Sequence, residues 1–341
     1  MRNRSPRAGH WPTMQDVARR AGVSAMTVSR ALAAPEKVDP TTRARIRDAV
    51  RELGYVPDRL AGGLSSRRSG LIAALVSTLT NSIFAPTVDG LTAAVRRAGY
   101  EVLLGSTDYS IEGEEALIAA ALSRRPDGLV LTGTIHTSAA RELLRNAAVP
   151  VVETWDLPEN PIDMTVGFSN IEAGRAMTHW LHEFGYRRIA FIGTAGEGDS
   201  RGQLRAKGYR RAMAELGLGQ PVVITTGGGA PGLAEGAAAL ARLGERYPEA
   251  DAVFCVSDIV AAGAILECRR RGVAVPQRLA IAGFGDFDLA SEAALDLTTV
   301  RIPGFVIGER AGQMLIERIE GRSVEPKVVD VGFDLVRRQS A

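Results

Sequence analysis

Apolar positions recur at helical spacing three times before residue 55, and each run starts and stops on a local signal. Thr13 is followed three positions on by the acidic Asp16, a variant of the capping box, and Val17, Ala18 and Ala21 continue an apolar face up to Gly22. Ser24 is a second N-cap candidate, and the run from Ala25 to Leu32 turns Val28, Ala31 and Leu32 inward while the rest of that helix faces out. Asp39 with Pro40 at the first helical position opens a third helix, whose Ile46, Ala49, Val50 and Leu53 recur until Gly54 stops them. Two helices joined across Ala21-Gly22-Val23 and braced by a third predict an all-α helix-turn-helix headpiece.

From Leu71 the pattern changes to short buried strands alternating with amphipathic helices. Strands are expected at 71–76, 100–104, 128–131 and 150–152, with helices near 84–98, 114–123 and 139–146. A second series restarts after Asn170, with helices to Phe184, near 204–216 and at 259–271, and strands at 188–192, 252–256 and 279–282. Such alternation predicts an α/β body of two doubly wound parallel-sheet lobes. Ligands bind such lobes at the carboxyl ends of their strands, so a facing pair creates a cleft.

Charge sharpens this division. The 341 residues carry a net charge of +2, but residues 1–70 hold 14 Lys+Arg against 6 Asp+Glu, leaving 27 against 33 for the rest. A basic head on a mildly acidic body suits polyanion binding by the head, although solvated surface charge alone gives the same split. No apolar run approaches the length of a bilayer span, and the first residues, with Arg2, Arg4 and Arg7, do not form a secretory signal. A cytoplasmic location is the default expectation. Two cysteines, Cys255 and Cys268, are too few for a disulfide framework, and the four histidines show no paired ligand spacing, so no metal and no cofactor is expected. The loop Gly193–Gly198 has the wrong glycine spacing for a dinucleotide, and Glu197 and Asp199 would repel a pyrophosphate. No motif of a nucleotide-binding, serine-hydrolase or zinc-protease site is present, and no catalytic residue is assigned.

Met14 to Leu64 resembles the DNA-binding headpiece of the lactose-repressor (LacI) family of bacterial transcription regulators. The matching stretches are Gln15-Asp16-Val17-Ala18, Ala21-Gly22-Val23-Ser24, Thr27-Val28-Ser29-Arg30, Thr42-Arg43 and Leu53-Gly54-Tyr55-Val56-Pro57. The resemblance implies that the second helix enters the major groove. Its base-reading positions fall on Ala25, Met26 and Arg30, of which Arg30 can donate two hydrogen bonds to a guanine edge. Thr27 and Ser29 then fall on phosphate contacts, and Thr13, Ser24 and Arg59 complete the expected DNA-facing set. The plainer alternative makes Met26 a core filler and Arg30 a surface charge. After Pro57 the resemblance implies a hinge helix that pairs with its twin and wedges Leu64 into the minor groove. Adjacent Gly62 and Gly63 would leave it unfolded until two copies meet on DNA. Asp58 stands where the family usually has Asn, and a plain Ser/Gly linker is the alternative.

The resemblance continues through Pro126-Asp127-Gly128-Leu129, Gly185-Tyr186, Ile281-Ala282-Gly283-Phe284 and Leu297-Thr298-Thr299-Val300, and implies a periplasmic-binding-protein-like body. Within the family the chain resembles the gluconate-utilisation repressors, through Val166-Gly167-Phe168, Arg205-Ala206-Lys207-Gly208-Tyr209, Val253-Phe254-Cys255 and Val331-Gly332-Phe333. Arg201 and Arg205 stand four apart at the start of a helix, where both guanidinium groups and the helix N-terminus favour an anion. Strand ends add Asn81, Thr134, Glu153, Trp155, Ser169, Asn170, Asp258 and Asp286 to the candidate effector site, with Phe84 to stack on an apolar sugar face. The family match carries Arg205, Asp258 and the Asp286 loop. Ser169 and Gly285 depart from the family's usual Asp, and any of these polar groups could cap a helix or bridge loops instead.

The expected organisation is therefore a disordered basic tail at 1–12, a helix-turn-helix domain at 13–57, a hinge helix and linker at 58–70, and an effector-binding and dimerisation domain at 71–341. Its N-lobe is expected at 71–168 and 301–323, its C-lobe at 169–300 and 324–341. Together these readings give a homodimeric DNA-binding regulator, a repressor of sugar-acid catabolism. Its expected partners are a pseudo-palindromic operator and a small-molecule effector between the lobes, with no membrane partner. A charged tail without heptad leucines gives no tetramerisation helix. The alternative is a sugar-binding protein or carbohydrate enzyme built on the same body.

Overall fold

The computed structural model describes residues 11–56, 68–80, 82–193, 199–227 and 232–341. The chain divides at Ser69/Gly70 into two compact units. The candidate residues Arg59, Leu64 and Asn81, and nearly all of the expected tail and hinge, lie outside the described residues.

The first unit contains α1 (Met14–Ala21), α2 (Ala25–Ala33) and α3 (Pro40–Leu53). The Thr13 and Asp16 side chains each cap the other's backbone N–H, and Gly22 ends α1 in the left-handed conformation. Ser24 caps α2, accepting from the Thr27 N–H, and Asp39 caps α3 ahead of Pro40. Val17, Ala18, Ala21, Val28, Ala31, Ile46, Ala49 and Tyr55 form the core, and Val50 and Leu53 pack at its edge. Leu32, expected inside, is 38% exposed, because α1 and α3 cover the face carrying Val28 and Ala31 and leave the next position uncovered.

The second unit builds its first lobe from β1 (Leu71–Val76), α4 (Ala85–Arg96), β2 (Glu101–Ser106), α5 (Ile111–Ser123), β3 (Gly128–Thr132), α6 (Ser138–Asn146), β4 (Val151–Thr154) and β5 (Met164–Gly167). The second lobe follows with α7 (Asn170–Glu183), β6 (Ile189–Gly193), α8 (Ser200–Glu215), β7 (Val222–Thr225), α9 (Leu233–Arg246), β8 (Ala252–Cys255), α10 (Asp258–Arg271), β9 (Ala280–Gly285) and β10 (Thr298–Arg301). The chain then returns as α11 (Gly304–Ile319) and β11 (Val328–Asp330), and ends in the second lobe with β12 (Asp334–Val336). The two six-stranded sheets have the orders β11-β5-β4-β3-β1-β2 and β12-β10-β9-β8-β6-β7. Every pairing between these strands is parallel except β10 with β12, as expected for strands linked by crossover helices. Since Val328 pairs with Thr165 in the first sheet, residues 328–330 belong to the first lobe rather than to the second, where the sequence reading puts residues 324–341.

Reciprocal glycines seat the helices in pairs. A Cβ on Gly174 of α7 would lie 2.2 Å from the Arg205 carbonyl oxygen, and one on Gly208 of α8 would lie 2.0 Å from that of Ile171. The pairs α4/α11 and α9/α10 repeat the device through Gly90 with Gly308 and Gly236 with Gly263. Backbones at this separation leave no room for a side chain, so the α7/α8 contact fixes the helix that carries Arg201 and Arg205.

Candidate functional site

In the first unit, α2 turns one face out. Met26 is 71% exposed and Arg30, one turn on, is also exposed, so neither fills the core. The exposed Arg30 guanidinium makes no hydrogen bond or ion pair among the described residues. Ala25 and Ser29 flank them, half-buried. The Ser24 and Thr27 hydroxyls lie 2.8 Å apart, and the Thr27 N–H donates to Ser24 Oγ at 3.1 Å, which fixes the first turn. Arg45 of α3 donates to the Ala21 and Gly22 carbonyls and holds the turn between α1 and α2. The result is a helix whose outer face presents one apolar side chain, one cation and several small polar groups, chemistry suited to reading a major groove.

In the second unit, the carboxyl ends of the strands of both lobes enclose a cavity lined by Phe84, Tyr109, Trp155, Arg201, Arg205 and Phe284, together with Ser257, Phe287 and the buried carboxylate Asp199, whose charge acts on Arg205. Four rings cross it in sequence: Phe84 and Trp155 have centroids 5.0 Å apart, Trp155 and Phe168 5.9 Å, and Phe168 and Phe284 6.0 Å. Trp155 adopts a left-handed φ of 71°, unusual for a bulky residue, and its indole N–H donates to Thr87 Oγ1 at 3.1 Å. Strain of this kind collects where a side chain must be aimed.

Both arginines are buried. The Arg201 Nη1 donates to the Thr132 carbonyl at 2.9 Å and its Nη2 to Ser77 Oγ at 2.7 Å, so this second-lobe side chain is bound to the ends of two first-lobe strands. The Arg205 guanidinium lies 4.1 Å above the Phe284 ring, and its Nη1 donates to Asn170 Oδ1 at 2.7 Å. Asn170 in turn donates to the Trp155 carbonyl at 2.8 Å and to Asp156 Oδ1 at 3.2 Å. Among the described residues Arg205 Nε has no hydrogen-bond partner although buried, and burial holds the Arg205 pKa down to about 10. A buried guanidinium with an unmatched donor suits a carboxylate or phosphate oxygen, whose charge would offset the cost of desolvation. Burial also raises the Tyr109 pKa, with Arg201 beside its hydroxyl.

Of the sequence-derived effector set, Phe84, Trp155, Arg201 and Arg205 come together here, with Asn170 bonded to both Arg205 and Trp155. The others have different partners. Thr134 donates to Asp156 Oδ2 at 3.3 Å, and Ser169 caps α7 by accepting from the Glu172 N–H at 3.1 Å. Glu153 is buried against His136 Nε2 at 3.2 Å and accepts the Ile162 N–H at 2.6 Å, while Glu114 lies 2.6 Å from the other nitrogen of the same ring. Asp258 accepts from Thr299 Oγ1 at 2.5 Å and from the Phe287 N–H at 2.7 Å, bracing the loop below the cavity, and burial pushes its pKa up to about 7. Asp286 pairs with Arg301 at 2.6 Å and Arg338 at 2.7 Å. Ser77, Thr132, Tyr109 and Asp156 escaped sequence reasoning, although Ser77 directly follows a buried strand and the strand-end rule could have found it.

Residues 13–58 match the family described as bacterial regulatory proteins, lacI family, and residues 178–341 match a periplasmic binding protein-like domain. The chain is 39% identical over 329 residues to the HTH-type transcriptional regulator GntR of Pseudomonas aeruginosa, covering 96% of this chain and 95% of that one. It superposes with a TM-score of 0.88 on a LacI-family regulator from Silicibacter pomeroyi, at 32% identity over 96% of this chain and 99% of that one. It also superposes, with a TM-score of 0.69 at 30% identity over 97% and 100% of the two chains, on the transcriptional regulator CelR in a cellobiose complex. A helix-turn-helix joined to this body does not favour a sugar-binding protein or carbohydrate enzyme. Among the described residues no helix is long and apolar enough to cross a membrane. The chain belongs to the lacI family of bacterial regulatory proteins and is a DNA-binding transcriptional regulator, not an enzyme.

Proposed function

We propose that this regulator is a cytoplasmic homodimeric repressor of sugar-acid catabolic genes, with a gluconate-type effector held between the lobes. The orphaned Nε of buried Arg205, next to a second arginine and a wall of rings, carries the effector assignment. A sugar acid offers a carboxylate to the arginines, hydroxyls to Ser77, Asn170 and Asp156, and an apolar face to Phe84 or Trp155. The likeness to gluconate-utilisation repressors supports the same choice, and a sugar stands in the complex of the relative CelR.

The cavity holds only about 30 Å³, against roughly 300–1,000 Å³ for ordinary small-molecule sites, so effector entry requires the lobes to part and the Arg201 bridge to rearrange. That movement is the proposed link between effector and DNA. Ala25, Met26 and Arg30 read bases, Thr13, Ser24, Thr27 and Ser29 hold phosphates, and Arg59 and Leu64 act in the hinge at a pseudo-palindromic operator. Calorimetric titration with gluconate and with glucose tests the effector class. Saturable gluconate binding, lost in Arg205→Ala while glucose stays silent, supports it. Glucose binding as tightly as gluconate, or Arg205→Ala binding gluconate normally, refutes it.

A further inference from the structure

The second lobe contains a separate cavity of about 290 Å³ at the opposite end of its sheet, between the C-terminal halves of α9 and α10 and the residues that lead into β8 and β9. Leu240, Leu243, Cys268 and Leu279 are buried in its wall, while Gly244, Tyr247, Arg271 and Arg278 are exposed at its rim. Burial pushes the Cys268 thiol up to about 11, so this wall is uncharged.

Gly244 is the informative residue. Glycine inside a helix is unfavourable relative to alanine, and the other α9 glycine, Gly236, has a packing reason: its Cβ would come 2.2 Å from the Val260 carbonyl oxygen. A Cβ on Gly244 would meet nothing within 4 Å. Packing does not demand this glycine, and it lines the cavity.

The rim adds charge. Arg271 Nε donates to Glu267 Oε1 at 2.5 Å, and its Nη groups make no hydrogen bond among the described residues. Arg270 also holds Glu267, at 2.7 Å from Nε and 2.6 Å from Nη2, so that carboxylate is already matched. Arg278 Nη1 donates to the Ala250 carbonyl at 2.6 Å. Of the charged residues that line the cavity, Arg271 and Arg278 outnumber Glu245.

We propose that this cavity is a second ligand site, one for a small aromatic or aliphatic monocarboxylate whose apolar body lies against Leu240, Leu243 and Leu279 and whose carboxylate meets the Nη edge of Arg271. The volume suits a body of one or two fused rings, and an apolar wall with one cationic group at the mouth selects an acid over its neutral counterpart. The site does not depend on the effector assigned to the cleft.

Titration of the full chain with 2-naphthoate and with the uncharged 2-naphthalenemethanol, followed by calorimetry, tests this. The expected result is one saturable naphthoate site per chain, with affinity reduced at least about tenfold in Gly244→Phe. Arg271→Ala should weaken the acid about tenfold and leave the alcohol unchanged, and Arg205→Ala should change neither. No naphthoate binding, equal affinity for acid and alcohol, undiminished binding to Gly244→Phe, or loss of binding in Arg205→Ala would each overturn the proposal. Should Gly244→Phe fail to fold, the exposed Arg271 variant decides on its own.

Discussion

Arg201, carried by a helix of the second lobe, donates a 2.9 Å hydrogen bond to the carbonyl of Thr132 at the end of a first-lobe strand. With the bond to Ser77 Oγ it spans the mouth of the cleft, and hydrogen bonds from a charged donor contribute about 1.5–3 kcal/mol each. Arg201→Ala should therefore let the lobes part. Hydrogen exchange is expected to accelerate at the ends of β1 and β3 while the α4/α11 pair stays protected; unchanged exchange at Thr132 and Gly133 would show that the bridge does not hold the cleft.

The close approach of α7 to α8 makes a second prediction. In Gly174→Ala the new methyl would stand 2.2 Å from the Arg205 carbonyl oxygen, and overpacking of this kind costs about 1–3 kcal/mol. Urea unfolding should show that loss together with weaker gluconate binding, because α8 must shift. Gly244→Ala is the internal contrast: with open space around it, it should gain up to about 1 kcal/mol from helix propensity. Equal effects of the two substitutions would contradict the packing argument.

His136 predicts a pH dependence of stability. Burial alone would lower its pKa, but hydrogen bonds to Glu114 and Glu153 outweigh burial and raise it from 6.5 to about 9. A histidine raised in the folded state contributes stability that is fully present below about pH 6.5 and lost as pH climbs through about 9, here on the order of 3 kcal/mol. Urea midpoints measured from pH 6 to 9.5 should fall in the wild type and be flatter in His136→Gln. Parallel curves for the two proteins would rule this out.

On the DNA side, Arg30→Ala should relax discrimination at one base pair per half-site by about 1–3 kcal/mol while binding elsewhere in the site keeps its preferences. A selection from randomised duplexes reads this directly. Retained preference at every position would return Arg30 to the status of a surface charge.

Local signals in the sequence explain much of what the structure contains. Thr13 with Asp16, Gly22, Asp39 with Pro40, and Gly54 delimit their helices through interactions within a few residues, and all four are visible in the chain itself. Strand-end placement and helical spacing likewise bring Phe84, Trp155, Arg201 and Arg205 to one cleft. Leu32 is exposed because the packing of α1 and α3 decides which α2 positions are covered. Glu153, Asp258 and Asp286 have partners, His136, Thr299 and Arg338 among them, supplied by distant segments, and no local spacing announces those pairings. The short β7, β11 and β12 lie at sheet edges, where burial is partial and the hydrophobic signal correspondingly weak.

Fluorescence anisotropy of the purified chain on an operator-like palindromic duplex, at stated salt and with gluconate added or withheld, tests the central claim most directly. Effector-linked regulation predicts tight two-fold-symmetric binding whose affinity shifts about 5- to 150-fold with gluconate, a shift that Arg205→Ala abolishes. Binding that follows salt alone, indifferent to duplex sequence and to the sugar acid, would contradict it.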